Sequence, residues 1–157
     1  MSGQLFAVDM EIQSAIPLYP SGTVHFDRLG RKFVYGQANG ALTAGTTCQM
    51  SKDGSFDFTP MTTTTLNSLP QRLGSPDIDM TDNYWGWFFQ GFGDWELIIA
   101  NGTSANSVIT SSATAGKPGA GGTPLDGLEN IDAGVTDTRV TCTIYGSFTA
   151  GVTAAYD

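Results

Sequence analysis

Turn-forming residues interrupt this chain every few positions, and they constrain its fold more than any other feature. Glycine occurs 20 times and proline 7 times in 157 residues, and threonine, serine and asparagine are abundant between them. Glycine and proline disfavour helix interiors and are typical of the turns between short strands. Sustained helical periodicity is scarce, so we predict an all-β chain. The expected architecture is a single-domain β-sandwich or small β-barrel with long loops and an extended N-terminal arm.

The chain is long enough for one domain with a real core. Residues 1–20 are expected to form the extended arm, because the two prolines that close this segment disfavour helix. Residues 21–157 then form one β domain with loop insertions at 52–82 and 113–127. The first insertion shows no sustained period, and the second is the low-complexity stretch ATAGKPGAGGTPLDG.

Alternating apolar and polar side chains mark several strands outside these insertions. Residues 22–27 and 32–37 flank the turn segment 28–31 and predict a hairpin. A further short strand is expected at 47–50. The C-terminal segment 138–150 alternates most clearly and predicts a longer strand.

Residues 84–95, YWGWFFQGFGDW, hold all three tryptophans of the chain. The segment QGFGD carries turn residues, so we predict a hairpin with strands at 84–89 and 95–100. Side chains alternate between the two faces of a strand. The wall face would carry Trp85, Trp87, Phe89, Trp95, Leu97 and Ile99, and the opposite face would include Tyr84 and Phe88.

Three interpretations of this aromatic wall stay open: a core face, a seam between subunits, and a stacking platform for a sugar or a base. Aromatic residues are enriched in interface cores as well as in domain cores. A platform needs exposed rings beside hydrogen-bonding groups, and only Asn83, Gln90 and Asp94 lie close by. We expect the tryptophan face in the core, with Tyr84 and Phe88 nearer to a neighbouring subunit.

Charge and composition exclude several classes of protein. The formal net charge is −8 with only 7 lysines and arginines, which argues against a nucleic-acid partner and against an anionic membrane surface. No apolar run approaches the roughly 18 residues of a membrane span. Without signal-peptide features we expect synthesis in the cytoplasm. Whether Cys48 and Cys142, the two cysteines, pair with each other stays open.

The residues that could carry chemistry do not form a recognisable active-site pattern. His25 is the one histidine, and no nucleophile motif accompanies it. The glycines of GKPGAGGT lack the phosphate-loop order, because Lys117 precedes them. Asp77, Asp79 and Asp82 could hold calcium, but the EF-hand pattern is missing. We therefore predict a protein that is not an enzyme and has no cofactor and no metal.

Two segments carry a family resemblance. Residues 22–49 read GTVHFDRLGRKFVYGQANGALTAGTTCQ, and residues 83–116 read NYWGWFFQGFGDWELIIANGTSANSVITSSATAG. Both are similar to the small β-rich capsid decoration (cement) proteins of tailed bacteriophages. The low charged fraction, 14% of the residues, suits a protein that buries much of its surface against partners.

The resemblance implies a structural virion protein that binds the outer surface of a phage capsid and stabilises the shell by bridging major capsid subunits. It implies the major capsid protein as partner, self-association as a homotrimer, and a location on the virion after synthesis in the host cytoplasm. It implies no nucleic-acid and no membrane partner. The alternative is a carbohydrate- or receptor-binding module of a virion fibre.

Contacts with neighbours are expected from two apolar sets outside the aromatic wall. The first lies in the arm and the second in the loop insertion at 52–82. The members are Leu5, Phe6, Val8 and Ile12 in the arm, and Phe56, Phe58, Met61, Leu66 and Leu69 in the insertion.

Overall fold

Strands provide the regular secondary structure of this chain. A computed structural model describes residues 8–51, 53–62, 71–101, 103, 108–110, 112, 114–119, 124–130 and 139–150. Within these ranges there are nine strands and no helix. The predicted all-β class is confirmed, and the pairing described below is consistent with a small sandwich or barrel.

In chain order the strands are β1 Val24–Phe26, β2 Lys32–Ala38, β3 Cys48–Met50, β4 Asp57–Pro60, β5 Gln71–Pro76, β6 Trp85–Ile98, β7 Val108–Thr110, β8 Pro124–Asn130 and β9 Arg139–Ala150. They form one mixed sheet in the order β1-β2-β4-β3-β5-β6-β9-β8-β7. The β2–β4 pair is parallel and the others are antiparallel.

Five strands close into a ring. β2 pairs with β4, β4 with β3, β3 with β5, and β5 with β6. β6 returns to β2 through a ladder that runs from Gln37↔Trp85 to Lys32↔Gly91. A sheet that closes on itself in this way forms a small barrel.

Two stacked phenylalanine rings lie between the strands of this ring. Phe58 of β4 and Phe88 of β6 have ring centroids 3.8 Å apart and planes 7° from parallel. Gly36 and Gly74 face the stack, since a Cβ atom on either would lie 2.6 Å from a ring carbon of Phe58. The absence of a side chain at these two strand positions makes room for the rings. The same buried cluster includes Ala38, Leu42, Cys48, Met50 and Met80.

β6 is one strand with a sharp bend. Six positions of straight strand would separate Phe89 from Trp95 by about 20 Å, yet their rings stack with centroids 4.5 Å apart. The backbone bends at Gly91, Phe92 and Gly93, whose φ angles are 141°, 67° and 98°. The bend therefore folds the second half of the strand over the first.

The predicted hairpin at 84–100 is wrong, because the two halves of β6 are not paired with each other. The first half pairs with β2 and β5, and the second half pairs with β9. The glycines of QGFGD allow a bend within one strand, not the turn of a hairpin. A bend of this kind and a hairpin turn both need positive φ angles, which glycine adopts readily. A hairpin with strands at 84–89 and 95–100 would place Phe89 opposite Trp95, and these two rings do lie together, because of the bend.

An outer layer extends from the second half of β6. β9 pairs with β6, β8 with β9, and β7 with β8. Its apolar side chains, which include Val140, Cys142 and Ile144 of β9, share one buried cluster with Phe33 and Tyr35 of the ring. This cluster is the main core, and it lies between the ring and the outer layer.

Three predicted strand regions are confirmed. The segments 22–27 and 32–37 form β1 and β2, which pair with His25 opposite Phe33. The short strand at 47–50 forms β3, and the segment 138–150 forms β9. The alternation matches burial most clearly in β3, where Cys48 and Met50 are buried and Gln49 between them is partly exposed.

The two predicted loop insertions both contain strands, so they are not simple loops. β4 and β5 lie within 52–82, and β8 begins within 113–127. Leu125 is only 2% exposed in the main core. β4 and β5 each end in a proline. Proline is tolerated at strand ends, but in a sequence it argues against a strand.

The described part of the arm, residues 8–20, lies along its own domain. Ser14 forms an antiparallel bridge with Trp85, with N–H to O=C distances of 3.0 and 2.8 Å. The Gln13 side chain accepts a hydrogen bond from the Thr81 amide at 2.8 Å. The Tyr19 ring packs edge-on against that of Tyr35, 5.2 Å between centroids.

Candidate functional site

The predicted aromatic wall lies in the core of the chain. Trp87, Phe89, Trp95, Leu97 and Ile99 belong to the main core, and Trp85 packs against it partly buried. Trp87 is 3% and Trp95 is 5% exposed, so neither ring offers a free face for stacking a sugar or a base. The wall face was therefore assigned correctly from alternation.

The opposite face was assigned incorrectly at one of its two residues. Phe88 is fully buried in the ring cluster and cannot contact a neighbouring subunit. Its stack with Phe58 explains this burial, since the ring has its own interior to fill. Tyr84 is partly buried.

The residues predicted to contact neighbours from the insertion and the arm divide into three groups. Phe58 and Met61 are fully buried, which contradicts a role as surface contacts, and Phe56 is partly buried against the ring cluster. In the arm, Val8 is partly buried against the main core and Ile12 is 41% exposed. The remaining four, Leu5, Phe6, Leu66 and Leu69, lie outside the described residues.

The acidic stretch holds loops together. Asp79 accepts the backbone N–H of Ala44 at 2.8 Å, and Asp82 accepts that of Gly40 at 2.7 Å. Asp77 pairs with Arg139 at 2.7 Å. Among the described residues no group of histidine, cysteine and carboxylate side chains could hold a metal ion.

His25 and the two cysteines have structural environments. The His25 ring lies 5.9 Å from the Trp87 ring, centroid to centroid. Cys48 and Cys142 are both free and buried, and they belong to different clusters. Burial raises the pKa of the Cys48 thiol, which keeps it protonated and unreactive.

Two clefts share Arg31 in their linings. One has a volume of about 310 Å³ and includes Asp94, Glu96 and Arg139; the other, of about 320 Å³, includes Asp27. Trp95 lines both clefts, and the Arg31 guanidinium carbon lies 5.2 Å from the centroid of its ring. The sequence did not indicate this site, because the bend in β6 brings its residues together.

Ion pairs and hydrogen bonds occupy most of the carboxylates of these clefts. Asp27 and Arg31 are 2.6 Å apart, Glu96 and Arg139 are 3.3 Å apart, and Asp94 accepts the Thr143 hydroxyl at 2.7 Å. Partial burial raises the pKa of Asp27, but hydrogen bonds from Arg31 and Leu29 outweigh this effect and hold the pKa below its ordinary value. Glu11 also lines the second cleft, and the residues that line the two clefts include no histidine, cysteine or serine.

A second surface feature is a group of exposed apolar side chains outside the arm, where Ile12, Ile16 and Leu18 are exposed as well. Val24 and Phe26 of β1 are 47% and 56% exposed, Leu29 in the following turn is 77% exposed, and Phe92 at the bend of β6 is 46% exposed. We call these four residues the apolar corner. The predicted strand at 22–27 contains two of them, Val24 and Phe26, whereas His25 between them lies beside the Trp87 ring.

Comparisons of the chain with protein-family models, curated proteins and solved structures return no match. A helix with the length and apolar character needed to cross a bilayer is not found among the described residues. Function is therefore inferred from the chain's own geometry and from the sequence resemblance.

Proposed function

We propose that this chain is a structural virion protein that binds the outer surface of a phage capsid and stabilises the shell by bridging major capsid subunits. The observation that carries the proposal is the apolar corner, four exposed hydrophobic side chains on a β domain whose other large aromatics are mostly buried. Exposed apolar patches mark surfaces that bind other proteins.

Three further features support a binding role over a catalytic one. Four carboxylates of the clefts, those of Asp27, Asp77, Asp94 and Glu96, are engaged by arginine or threonine side chains. The single histidine contacts an aromatic ring, and both thiols are buried. The net charge of −8 is suited to a surface that does not bind DNA. A scaffold with these properties presents surface to other proteins.

The proposal is tested by sedimentation with capsids of the phage whose genome encodes the chain, assembled without this protein. We expect saturable co-sedimentation with expanded capsids and a higher temperature of capsid disruption once the protein is bound. Sedimentation of the protein alone should give the mass of a trimer. A strict monomer that never co-sediments would refute the proposal.

A matched pair of variants locates the contact. Leu29→Asp places a charge on the most exposed member of the apolar corner and should reduce capsid binding at least about tenfold. Ala115→Asp introduces the same charge at an exposed position in a different loop and should bind as the unmodified chain does. Equal binding by the two variants would remove the apolar corner from the interface.

A further inference from the structure

β1 is the end strand of the sheet order, and half of its backbone groups face away from β2. The Tyr35 amide donates to the Thr23 carbonyl at 2.9 Å, and the Asp27 amide donates to the Arg31 carbonyl at 3.1 Å. In an antiparallel pair the bonded residues alternate. The N–H and C=O groups of Val24 and Phe26 therefore point outward, and no described residue pairs with them.

The apolar corner adjoins this open edge. Val24 and Phe26 are two positions apart, so their side chains lie on the same face of the sheet. Phe26 is opposite Lys32, and Lys32 is opposite Gly91, the residue before Phe92. Neighbouring strands are about 4.8 Å apart, so this row from Phe26 to the bend of β6 spans about 10 Å.

Phe92 is held in a conformation that bulky residues rarely adopt. Its φ angle is 67°, in the left-handed region, and its side chain is 46% exposed. Such a conformation costs about 1–3 kcal/mol and is concentrated at functional sites. The bend of β6 requires a positive φ angle here, and a glycine would adopt it at lower cost than an exposed phenylalanine.

Positive side chains without a described carboxylate partner lie at this corner in an acidic chain: Lys32 is opposite Phe26, Arg28 precedes Leu29, and Arg72 is near Lys32. Arg28, Lys32 and Arg72 form no ion pair with any described carboxylate. Partial burial, and then the nearby charge of Arg72, lower the pKa of Lys32. A carboxylate placed between Lys32 and Arg72 would relieve this repulsion.

We propose that β1 and the apolar corner dock an extended acidic segment of a partner protein, which adds to the sheet as a strand. Its backbone would pair with Val24 and Phe26, and its apolar side chains would pack on Phe26 and Phe92. Its carboxylates would meet the positive charges around Lys32. The identification of the partner as a shell subunit rests on the proposed function, whereas the docking surface itself does not.

The test uses a synthetic peptide of alternating glutamate and valine, with a lysine and valine peptide as its charge control. Amide chemical shifts of the full chain are recorded during titration with each peptide. We expect the glutamate peptide to shift the amides of Val24 and Phe26 most, with binding that weakens as salt is added. The lysine peptide should bind at least about tenfold more weakly.

A variant pair separates backbone pairing from loss of fold. Val24→Pro removes an outward N–H that β2 does not use, so the sheet keeps its ladder and the peptide should bind at least about tenfold more weakly. Val24→Thr keeps the N–H and should bind within about threefold of the unmodified chain. Lys32→Glu should abolish the preference for the glutamate peptide.

Several results would overturn the docking surface. The first is that the glutamate peptide does not bind at millimolar concentration, and the second is that Val24→Pro binds it as tightly as the unmodified chain does. The third is that the amide chemical-shift changes are centred on another surface. The fourth is that a single-stranded oligonucleotide displaces the peptide. If the peptide binds as expected but the protein never joins capsids, the docking surface stands and the proposed function fails. If Val24→Pro joins capsids normally, the proposed function stands without this surface.

Discussion

The packing of the ring predicts that Gly36→Ala is strongly destabilising. A Cβ atom at this position would lie 2.3 Å from the Phe56 carbonyl oxygen and 2.6 Å from a ring carbon of Phe58. The carbonyl cannot simply move away, because it accepts the Gln37 amide at 3.1 Å. The ring cannot move freely either, because it stacks on Phe88 at 3.8 Å.

The magnitude follows from these contacts. Overpacking a filled core costs about 1–3 kcal/mol, and a weakened hydrogen bond adds about 0.5–1.5 kcal/mol. The lower entropy of the unfolded alanine chain offsets about 0.4–1 kcal/mol. We therefore expect Gly36→Ala to lower the free energy of unfolding by about 2–3 kcal/mol.

Gly86→Ala is the matched control, since both glycines lie in strands of the ring and lack a positive φ angle. The new Cβ atom would meet the terminal methyl of Met80 at 2.6 Å, the flexible end of a side chain. Met80 can change its rotamer, so we expect a loss below about 1 kcal/mol. Urea unfolding followed by tryptophan fluorescence measures both variants. Equal losses would refute the account of how the ring is packed.

Three other outcomes are expected. The thiols of Cys48 and Cys142 should resist a thiol reagent in the native protein and react in denaturant, and rapid native reaction would contradict their burial. The Ser55 amide and the Ser55 hydroxyl lower the pKa of Asp53 to about 2, so its stabilising effect is present above its unfolded pKa and is lost as pH falls towards 2. Carboxyl NMR titration should show that Ser55→Ala raises this pKa, and an unchanged value would exclude the hydroxyl as a cause. Arg139→Ala removes partly exposed ion pairs and should lower the free energy of unfolding, measured with urea, by less than about 1 kcal/mol. The loss should be smaller in high salt, and a salt-independent loss above about 2 kcal/mol would contradict this expectation.

Two of the strands that could be predicted, β3 and β9, alternate in the sequence because one set of side chains is buried and the other is not. β1 has its apolar residues exposed and β2 is buried on both faces, so their prediction depended on large apolar residues spaced by two on either side of a turn. β5 was missed because QRLGSP combines a glycine and a proline with a single large apolar residue. Gly74 of this strand is required by the Phe58 ring that it faces, and this contact cannot be read from local sequence.

The candidate site was harder to predict from the sequence than the strands were. Glycine has the same local signature in a hairpin turn and in a bend within a strand, so QGFGD did not distinguish the two. Which strands pair with the two halves of β6 depends on long-range contacts. The clefts beside Arg31 and the exposure of Phe92 both depend on that bend, so neither could be anticipated.

The bend of β6 also has a consequence for how the molecule unfolds. One strand supplies the first ladder of the ring and the first ladder of the outer layer. β5 of the ring also pairs with β9, through Gln71↔Ala150 and Arg72↔Thr149. Neither part can detach from the other unless both β6 and β5 lose pairing. Local opening of either half should therefore be coupled to the other, and the slowest amide hydrogen exchange should occur along both halves of β6 with similar protection.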